Sequence, residues 1–338
     1  MELLEHTPRG QASTYEEGEL DPIMRVLITG GAGFIGSNLI RHLNAMHPEW
    51  EIRALDDCST GFRSNLDGTR AELVVGSILN RDLLSDAVRG MDSIVHLAAI
   101  PSVPRSIGDP RATHDANVTG TFNVLEAARE IGIQQVIVAS SSSVYGSNPA
   151  LPKSEFDWTR PMSPYAVSKL ATEGYPLAYN FSYGMKNLAF RFFNVYGPGQ
   201  AAGHAYAAVI PQFLHAVAEG EPLSVHGDGR QSRDFTYVGT VAEVIRLALS
   251  EVVYSNDPVN LAFNTSTTLL ELVAELELAL GRTLPLEHSD PRVGDVRASQ
   301  SDGQRVRELF PSVSPVGLRD GLERTIAWFQ NGGPASQK

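Results

Sequence analysis

Short apolar runs alternate with amphipathic stretches along the chain from residue 24 onwards. Runs of strand length occur at 24–29, 51–55, 72–75, 93–97 and 135–139. Apolar residues recur with helical spacing up to about Met46, at about 80–89 and at 111–131. Regular alternation of strands and helices is typical of a parallel sheet with helices on both faces. The pattern therefore predicts a doubly wound α/β fold.

The pattern changes after Gly197, where the predicted elements are shorter. Helical spacing marks 205–219 and 269–280, and 223–226 has the pattern of a short strand. A last amphipathic helix carries four apolar residues on one face: Leu318, Leu322, Ile326 and Phe329. These segments predict a second, smaller domain.

Composition and charge narrow the classes of partner. Residues 1–22 contain six acidic residues and one basic residue, Arg9, which predicts a flexible extension outside the fold. The net charge of −12 over 338 residues disfavours nucleic acid and anionic membranes as partners. Cys58, the single cysteine, fits a reducing compartment. Neither a bilayer-spanning run nor a signal-peptide pattern is visible, so we expect a cytoplasmic protein.

A glycine-rich turn separates the first predicted strand from the first predicted helix. It reads Gly30-Gly31-Ala32-Gly33-Phe34-Ile35-Gly36. Strand, glycine turn and helix in this order indicate a dinucleotide site, where the helix N-terminus receives a pyrophosphate. Asp56, which lies 20 positions after Gly36, ends the second strand where a carboxylate binds ribose hydroxyls. A carboxylate there repels a 2′-phosphate, so the sequence predicts NAD rather than NADP.

Tyr165 and Lys169 lie four residues apart in Ser163-Pro164-Tyr165-Ala166-Val167-Ser168-Lys169. Ser163 followed by Pro164 is typical of a helix start, so the two side chains would share one helix face. An adjacent ammonium and the positive helix end favour the phenolate, which could act as a general base near neutral pH. This spacing is also common on solvated helices. The pattern alone therefore does not decide between a catalytic tyrosine and an ordinary surface residue.

The predicted strand at 135–139 leads into four consecutive serines, Ser140 to Ser143. Open α/β sheets bind ligands at the carboxyl ends of their strands, so a hydroxyl here could contact a substrate oxygen beside Tyr165. His96 lies within an apolar strand and is expected to be a packed residue. Asn117, taken alone, could be no more than a polar position on a helix. No cluster of metal ligands is visible, and no metal site is predicted.

A series of motifs resembles the extended short-chain dehydrogenase/reductases that modify nucleotide sugars, most of all the UDP-hexose 4-epimerases that accept N-acetylated sugars. The resemblance covers the chain after residue 23. Its markers are TGGAGFIG at 29–36, LDD at 55–57, HLAA at 96–99, SVPRSI at 102–107, SSSVYG at 141–146, SPYAVSK at 163–169, RFFNVYG at 191–197, HGDGRQSRDF at 226–235 and RVGD at 292–295.

The resemblance implies a Rossmann domain with a smaller α/β substrate-capping domain, NAD as cofactor and a UDP-sugar as substrate. Tyr165 would be the base and Lys169 its partner on the nicotinamide ribose, with Ser141 and Ser142 completing the catalytic group. Tyr165 and Lys169 would also bind NAD together with Gly30, Gly33, Phe34, Ile35, Gly36, Asp56, Asp57, Ser77, Ile78, Leu97, Ala98, Ala99, Asn117 and Phe192.

The same resemblance implies residues for the nucleotide sugar. Arg233 and Arg292 would bind the diphosphate, which suits the forked geometry of a guanidinium. Ser224 and Val225 would meet the uracil, and Asp295 the uridine ribose. The remaining implied contacts to the sugar are Ser102, Ser141, Ser142, Ser143, Asn194, Ala208, Val209 and Ser299.

Two positions depart from the family pattern. Ser77 stands where an aspartate usually binds adenine, so the adenine would rely on backbone groups and the Ser77 hydroxyl. Pro176 lies in the helix that carries Lys169, and a proline in a helix interior removes a backbone donor. The family forms homodimers through this helix, near 164–183, and the helix near 111–131. We expect a kink at 172–176, which makes such a dimer less certain.

The resulting prediction is NAD-dependent 4-epimerisation of a UDP-hexose through a transient 4-keto sugar, including the N-acetylated pair. A UDP-glucuronate 4-epimerase stays open as an alternative. Related dehydratases and decarboxylases need acidic residues where this chain has Ser142 and Ser143. A non-catalytic module on the same fold often lacks the tyrosine or the lysine, and both are present.

The expected domain limits follow from the same reading. The NAD-binding domain would comprise 24–196 and 223–262, and the nucleotide-sugar domain 197–222 and 263–333, after the extension at 1–22.

Overall fold

The computed structural model describes residues 23–201, 208–290 and 297–331. The strands are β1 Arg25–Thr29, β2 Glu51–Asp56, β3 Glu72–Val75, β4 Ser93–His96, β5 Gln135–Ser141, β6 Leu188–Phe192, β7 Val195–Tyr196, β8 Leu223–His226, β9 Ser232–Arg233, β10 Thr236–Tyr237, β11 Val259–Leu261, β12 Thr267–Thr268, β13 Leu286–Ser289 and β14 Ala298–Ser299. The helices are α1 Phe34–Met46, α2 Arg81–Val88, α3 Val103–Gly108, α4 Pro110–His114, α5 Gly120–Ile131, α6 Pro164–Tyr183, α7 Val209–Glu219, α8 Val238–Ser250, α9 Leu269–Leu280, α10 Gln304–Leu309 and α11 Leu318–Gln330.

Seven parallel strands form the central sheet in the order β11-β6-β5-β4-β1-β2-β3. Strands β1, β4 and β5 are apolar and almost wholly buried, as expected for strands covered on both faces. Helices α1 and α8 pack on one face, and α2 and α5 pack on the other. The predicted doubly wound fold is confirmed. The strand order reverses between β1 and β4, where such sheets bind their ligands.

Apolar side chains of the later segments form a separate core. It includes Phe213 of α7, Leu272 of α9 and Leu322 of α11. Leu223 and Val225 of β8 belong to the same core, and β8 pairs with β13. Residues 223–226 therefore pack and pair with the smaller layer. The domain limits given above stay a prediction.

The stretch predicted as one helix at 111–131 is divided into three parts. Helix α4 passes into a π turn, Asp115–Thr119, and then into α5. A π turn inserts one extra residue per turn and reorients the side chains within it. Helix α6 continues from Pro164 through Pro176 to Tyr183. Within the described ranges, no helix combines the length and apolarity needed to cross a bilayer.

Candidate active site

The loop between β1 and α1 has the geometry of a phosphate cradle. Gly30 has a φ of +71°, and a Cβ there would lie 2.6 Å from the Ala98 nitrogen. A Cβ at Gly36 would lie 2.3 Å from the carbonyl oxygen of Gly30. Gly33 is the N-cap of α1 and provides no side-chain hydrogen bond, so the first N–H groups of the helix stay available to an anion. The loop therefore fits a pyrophosphate.

Asp56 lies at the end of β2 against this loop. Its Oδ2 accepts from the Ala32 N–H at 2.9 Å, and its Oδ1 accepts from the Cys58 N–H at 2.8 Å. Burial raises the pKa of the Asp56 carboxyl, and the backbone N–H bonds oppose this shift. Asp56 thus shapes the glycine loop in addition to its predicted role toward ribose. Asp57 is exposed, and its carboxylate accepts from the Ser59 N–H.

The other residues predicted to bind NAD lie where strands of the sheet end. Leu97, Ala98 and Ala99 follow β4 directly, and the Ala98 N–H donates to the Thr29 hydroxyl at 3.3 Å. Phe192 ends β6 in register with Ser141 of β5. Beyond β3, Ile78 is buried, and the Ser77 hydroxyl accepts from the Leu79 N–H at 3.2 Å. Phe34 and Ile35 open α1 and pack partly against the smaller core.

Tyr165 and Lys169 lie on one side of α6, facing the end of β5. Ser163 caps the helix by accepting from the Ala166 N–H at 3.1 Å, with Pro164 in the first turn, as predicted. Lys169 is 5% exposed, and its ammonium donates to the Ala139 carbonyl oxygen at 2.8 Å. Tyr165 lies beside the Ser141 hydroxyl, and the Ser141 Oγ accepts from the Ser143 N–H. The structure brings together the predicted tyrosine, lysine and serine.

The electrostatics of this group differ from the sequence expectation. Burial raises the pKa of Tyr165, and the neighbouring Ser141 hydroxyl only partly opposes the shift. Burial also lowers the pKa of Lys169, to about 8. The phenolate is therefore not favoured in the free protein, since the effect of burial exceeds that of Ser141.

Asn117 lies in the π turn and is 1% exposed. Its Oδ1 accepts from the Ile100 N–H at 2.8 Å, and its Nδ2 donates to the Ser168 hydroxyl at 2.9 Å. It therefore connects the chain after β4 to α6. His96 is buried between the hydroxyls of Thr29 and Thr121, and burial lowers its pKa to about 3. The predicted packed role of His96 fits these contacts.

A cavity of about 220 Å³ opens where the smaller layer meets the chain after β6. Five residues predicted to meet the nucleotide sugar line it: Asn194, Ala208, Val209, Ser224 and Arg233. The Asn194 side chain donates to the Asp234 carbonyl at 3.2 Å, and the Arg233 guanidinium donates to the Ser232 carbonyl at 2.8 Å. Amide and guanidinium groups at the rim of an apolar cavity fit a polar, anionic ligand.

Two of the predicted substrate residues have unusual backbone conformations. Asn194 has a φ of +32° and Ser102 a φ of +141°. Non-glycine residues in such conformations concentrate at functional sites, where the surroundings hold them in place. Ser102 also begins α3, its Oγ accepting from the Arg105 N–H at 3.2 Å.

Four other predicted residues do not line the cavity: Ser142, Ser143, Val225 and Ser299. Ser142 and Ser143 lie in a 3₁₀ turn that follows Ser141. Val225 is fully buried in the smaller core, because its side chain points away from that of exposed Ser224 along β8; only its backbone could meet a ligand. Ser299 pairs with Arg233 across β14 and β9. Arg292 and Asp295 lie outside the described residues.

Comparison with known proteins agrees with this geometry. The sequence profile of the NAD-dependent epimerase/dehydratase family matches residues 26–262. The chain belongs to this family. It is 35% identical over 314 residues to the UDP-glucose 4-epimerase of Mycolicibacterium smegmatis, covering 91% of this chain and 99% of that protein.

Two solved structures extend the comparison. The UDP-N-acetylglucosamine 4-epimerase of Methanobrevibacter ruminantium, in complex with UDP-N-acetylmuramic acid, superposes with a TM-score of 0.85 at 33% identity, covering 91% of this chain and 99% of that one. The UDP-glucuronic acid 4-epimerase of Bacillus cereus, in complex with UDP-glucuronic acid and NAD, superposes with a TM-score of 0.82 at 29% identity and the same coverage. The family predicted from the motifs is confirmed.

Further polar residues of this epimerase/dehydratase chain line the cavity without having been predicted: Gln200, Gln212, His226 and Gln231. The Gln200 Nε2 donates to the Val195 carbonyl, whereas its Oε1 is buried and has no partner within the described residues. Outside the cavity lining, Ser143 Oγ is also buried and has no partner within the described residues. Such atoms are costly unless a ligand or water satisfies them. His226 and Gln231 belong to the motif at 226–235, so this motif could have indicated them as residues of the cavity.

Proposed function

We propose that this protein catalyses NAD-dependent 4-epimerisation of a UDP-hexose, including interconversion of UDP-N-acetylglucosamine and UDP-N-acetylgalactosamine. The observation that carries the proposal is the position of Tyr165 beside Ser141 at the end of β5, with Lys169 one turn further along α6. A phenol and a hydroxyl side by side at the carboxyl edge of the sheet, near the glycine loop at the strand-order reversal, support the roles of base and hydroxyl donor.

In this proposal, Tyr165 takes the proton from the 4-hydroxyl of the sugar while Ser141 holds the same oxygen. The glycine loop and Asp56 would hold NAD, which would supply the acceptor for the C4 hydrogen and its electron pair and would give both back, so that no cofactor is consumed. Tyr165 then gives the proton back to the oxygen of the other epimer. Lys169 and Asn117 orient the cofactor side of the site, and the loop at Gly30 to Gly36 receives the pyrophosphate.

We assign the cavity that contains Asn194, Ser224 and Arg233 to the nucleotide end of the substrate. Arg233 would bind the diphosphate together with Arg292, and Asp295 would hold the uridine ribose. Ser102, Ser143 and Ser299 would border the hexose. Gln200 Oε1, buried and unpartnered within the described residues, suits a donor on the same ligand.

Two alternatives use the same first oxidation. A UDP-glucuronate 4-epimerase differs only in needing a pocket for the sugar carboxylate. A dehydratase or decarboxylase would need an acid/base pair near the sugar, and this chain has Ser142 and Ser143 there. The absence of carboxylates at these positions favours epimerisation.

The test is incubation of the purified protein with NAD and a panel of UDP-sugars, with products identified by NMR. We expect 4-epimers of the neutral and N-acetylated sugars, no net NADH, and a product hydrogen at C4 that comes from the substrate. Turnover of UDP-glucuronate alone would favour the alternative. Steady accumulation of NADH, or loss of water or carbon dioxide, would refute epimerisation.

A cytoplasmic homodimer completes the proposal. Phe122 of α5 and Tyr175 of α6 pack with ring centroids 5.7 Å apart and are both exposed. Phe181 and Tyr183 are further exposed aromatic residues of α6. A second copy would bury these aromatic side chains, whereas Pro176 is already buried within the protein. Light scattering should give a dimer mass for the natural protein and a monomer mass for Phe181→Glu; a natural monomer would refute this part.

A further inference from the structure

Three residues of α6, each four positions after the last, contact consecutive residues of β5. Tyr165 lies beside Ser141, Lys169 donates to the carbonyl of Ala139, and Glu173 accepts from the hydroxyl of Ser140 at 2.7 Å. Residues at this spacing share one face of a helix. The same stripe therefore attaches the helix to the last three residues of the strand.

Glu173 is the only member of this stripe without a role in the proposed reaction. Its Oε1 accepts from Arg191 Nη2 at 2.6 Å, and its Oε2 accepts from Arg191 Nε at 3.0 Å and from Ser140. Ser140 and Arg191 face each other in register on β5 and β6. The Ser140 hydroxyl also lies 3.2 Å from the Lys169 carbonyl oxygen. One carboxylate thus joins two strands and the catalytic helix.

This ion pair is fully enclosed. The side chains of Arg191 and Glu173 are 4% and 3% exposed. The Arg191 guanidinium stacks over Tyr145 at 4.7 Å, and the Tyr145 hydroxyl donates to Asn260 at 2.7 Å. A buried ion pair contributes little net stability compared with an apolar pair, so its main effect can be to impose one arrangement. The arrangement fixed here is the position of α6 along β5.

We propose that Glu173, held by Arg191 and bonded to Ser140, is a positioning residue that sets the alignment of Tyr165 with Ser141. It acts through the helix and the strand and does not touch the substrate. A small shift of α6 along β5 would displace the Tyr165 hydroxyl and the Lys169 ammonium together. Misplacement of about 1 Å can lower a catalytic rate by about a hundredfold.

Ser140→Ala is the mildest change that tests the positioning role of Glu173, because it removes one hydroxyl and leaves the ion pair intact. Building on the proposed epimerase activity, we expect kcat to fall about tenfold or more, with KM within about twofold of the natural value. Thr325→Val is the matched control, since Thr325 is a buried hydroxyl that donates to the Gly321 carbonyl in the smaller layer. It should leave kcat unchanged. An unchanged kcat in folded Ser140→Ala would overturn the proposal.

A pair of variants separates positioning from stability. Glu173→Leu leaves the Arg191 charge buried and unpaired, and it should lower Tm strongly or prevent folding. Glu173→Leu/Arg191→Met removes both charges, so Tm should recover toward the natural value. Because Ser140 still lacks its carboxylate acceptor and keeps only the Lys169 carbonyl, kcat should stay low. If kcat recovered along with Tm, the pair would serve only to stabilise the fold, and the proposal would be wrong.

An NMR measurement that does not depend on turnover tests this inference separately from the proposed function. The NMR signal of isotope-labelled Tyr165, assigned by its loss in Tyr165→Phe, reports the surroundings of the phenol. We expect Ser140→Ala to move this signal and its titration, and Thr325→Val to leave both in place. If no UDP-hexose were turned over, the proposed function would fail while this measurement still decided the inference. An unmoved Tyr165 signal would overturn it.

Discussion

The ammonium of Lys169 donates to the carbonyl oxygen of Ala139 at 2.8 Å, inside the protein rather than at its surface. Burial penalises the charged form, which lowers the pKa of Lys169 from 10.5 to about 8. The same contact fixes the lysine beside the end of β5, one helical turn after Tyr165. The buried environment of Lys169 therefore sets both its position and its pKa. The pH dependence of the reaction should show this lowered pKa.

We expect kcat/KM to decrease as pH rises through about 8. Protonated Lys169 is needed to support the phenolate and to hold the cofactor, and its protonated fraction in the folded protein falls over this range. Below that pKa the lysine is charged, so this group imposes no loss on the acid side. The measurement is kcat/KM against pH. A value that stayed constant up to the ordinary lysine pKa of about 10.4 would contradict the assignment.

Tyr165→Phe should lower kcat by at least about a hundredfold, because it removes the proposed proton acceptor. The ring and its packing are kept, so the fold and the affinity for NAD and UDP-sugar should stay close to natural. Tyr175→Phe is the matched control, since it removes a phenol from an exposed position of the same helix. Calorimetric binding and steady-state kinetics check both variants. Substantial turnover by Tyr165→Phe would exclude this residue as the base.

Much of this fold could be predicted because its signals are local. The apolar run at β1, the glycine turn and the caps at Ser163 and Pro164 each depend on a few adjacent residues. The π turn at Asp115–Thr119 could not be predicted, because it accompanies hydrogen bonds of Asn117 with Ile100 and Ser168, which lie 17 and 51 residues away.

Some features of the candidate site could not be predicted for the same reason: they depend on contacts between residues that are distant in the sequence. The β8–β13 pairing depends on a strand more than sixty residues away. The raised pKa of Tyr165 is also a tertiary effect, since burial of the phenol follows from how α6 packs on β5. The apolar pattern correctly predicted a strand at 223–226, yet the direction of the Val225 side chain followed from the pleat.

Asp56→Asn should weaken the preference for NAD over NADP by about tenfold or more, because it removes the charge that repels a 2′-phosphate. An asparagine oxygen can still accept from the Ala32 or Cys58 N–H, so the glycine loop should keep its shape. Asp56→Ala removes both acceptors and should lose affinity for both cofactors as well as the preference. Titration of the natural protein and both variants with NAD and with NADP measures this preference. Equal binding of NAD and NADP by the natural protein would refute the prediction.

Ser299 provides the test of sugar choice. It is half-buried on β14 and pairs in register with Arg233, which lines the cavity assigned to the nucleotide sugar. In resembling epimerases, this position borders the 2-substituent of the hexose, and a tyrosine there accompanies restriction to glucose and galactose. An acetamido group needs the volume that a phenol ring would occupy, and closely packed sites yield little of it.

Ser299→Tyr should therefore lower kcat/KM for the N-acetylated pair by about tenfold or more relative to UDP-glucose and UDP-galactose, because added bulk penalises the larger substrate. Ser299→Ala removes the hydroxyl without adding volume and should leave the ratio of the two activities unchanged. Measuring kcat/KM for both pairs in the three proteins separates bulk from hydrogen bonding. Equal losses on both pairs would show that residue 299 faces away from the 2-substituent, and an inactive natural protein on N-acetylated sugars would refute the sugar assignment itself.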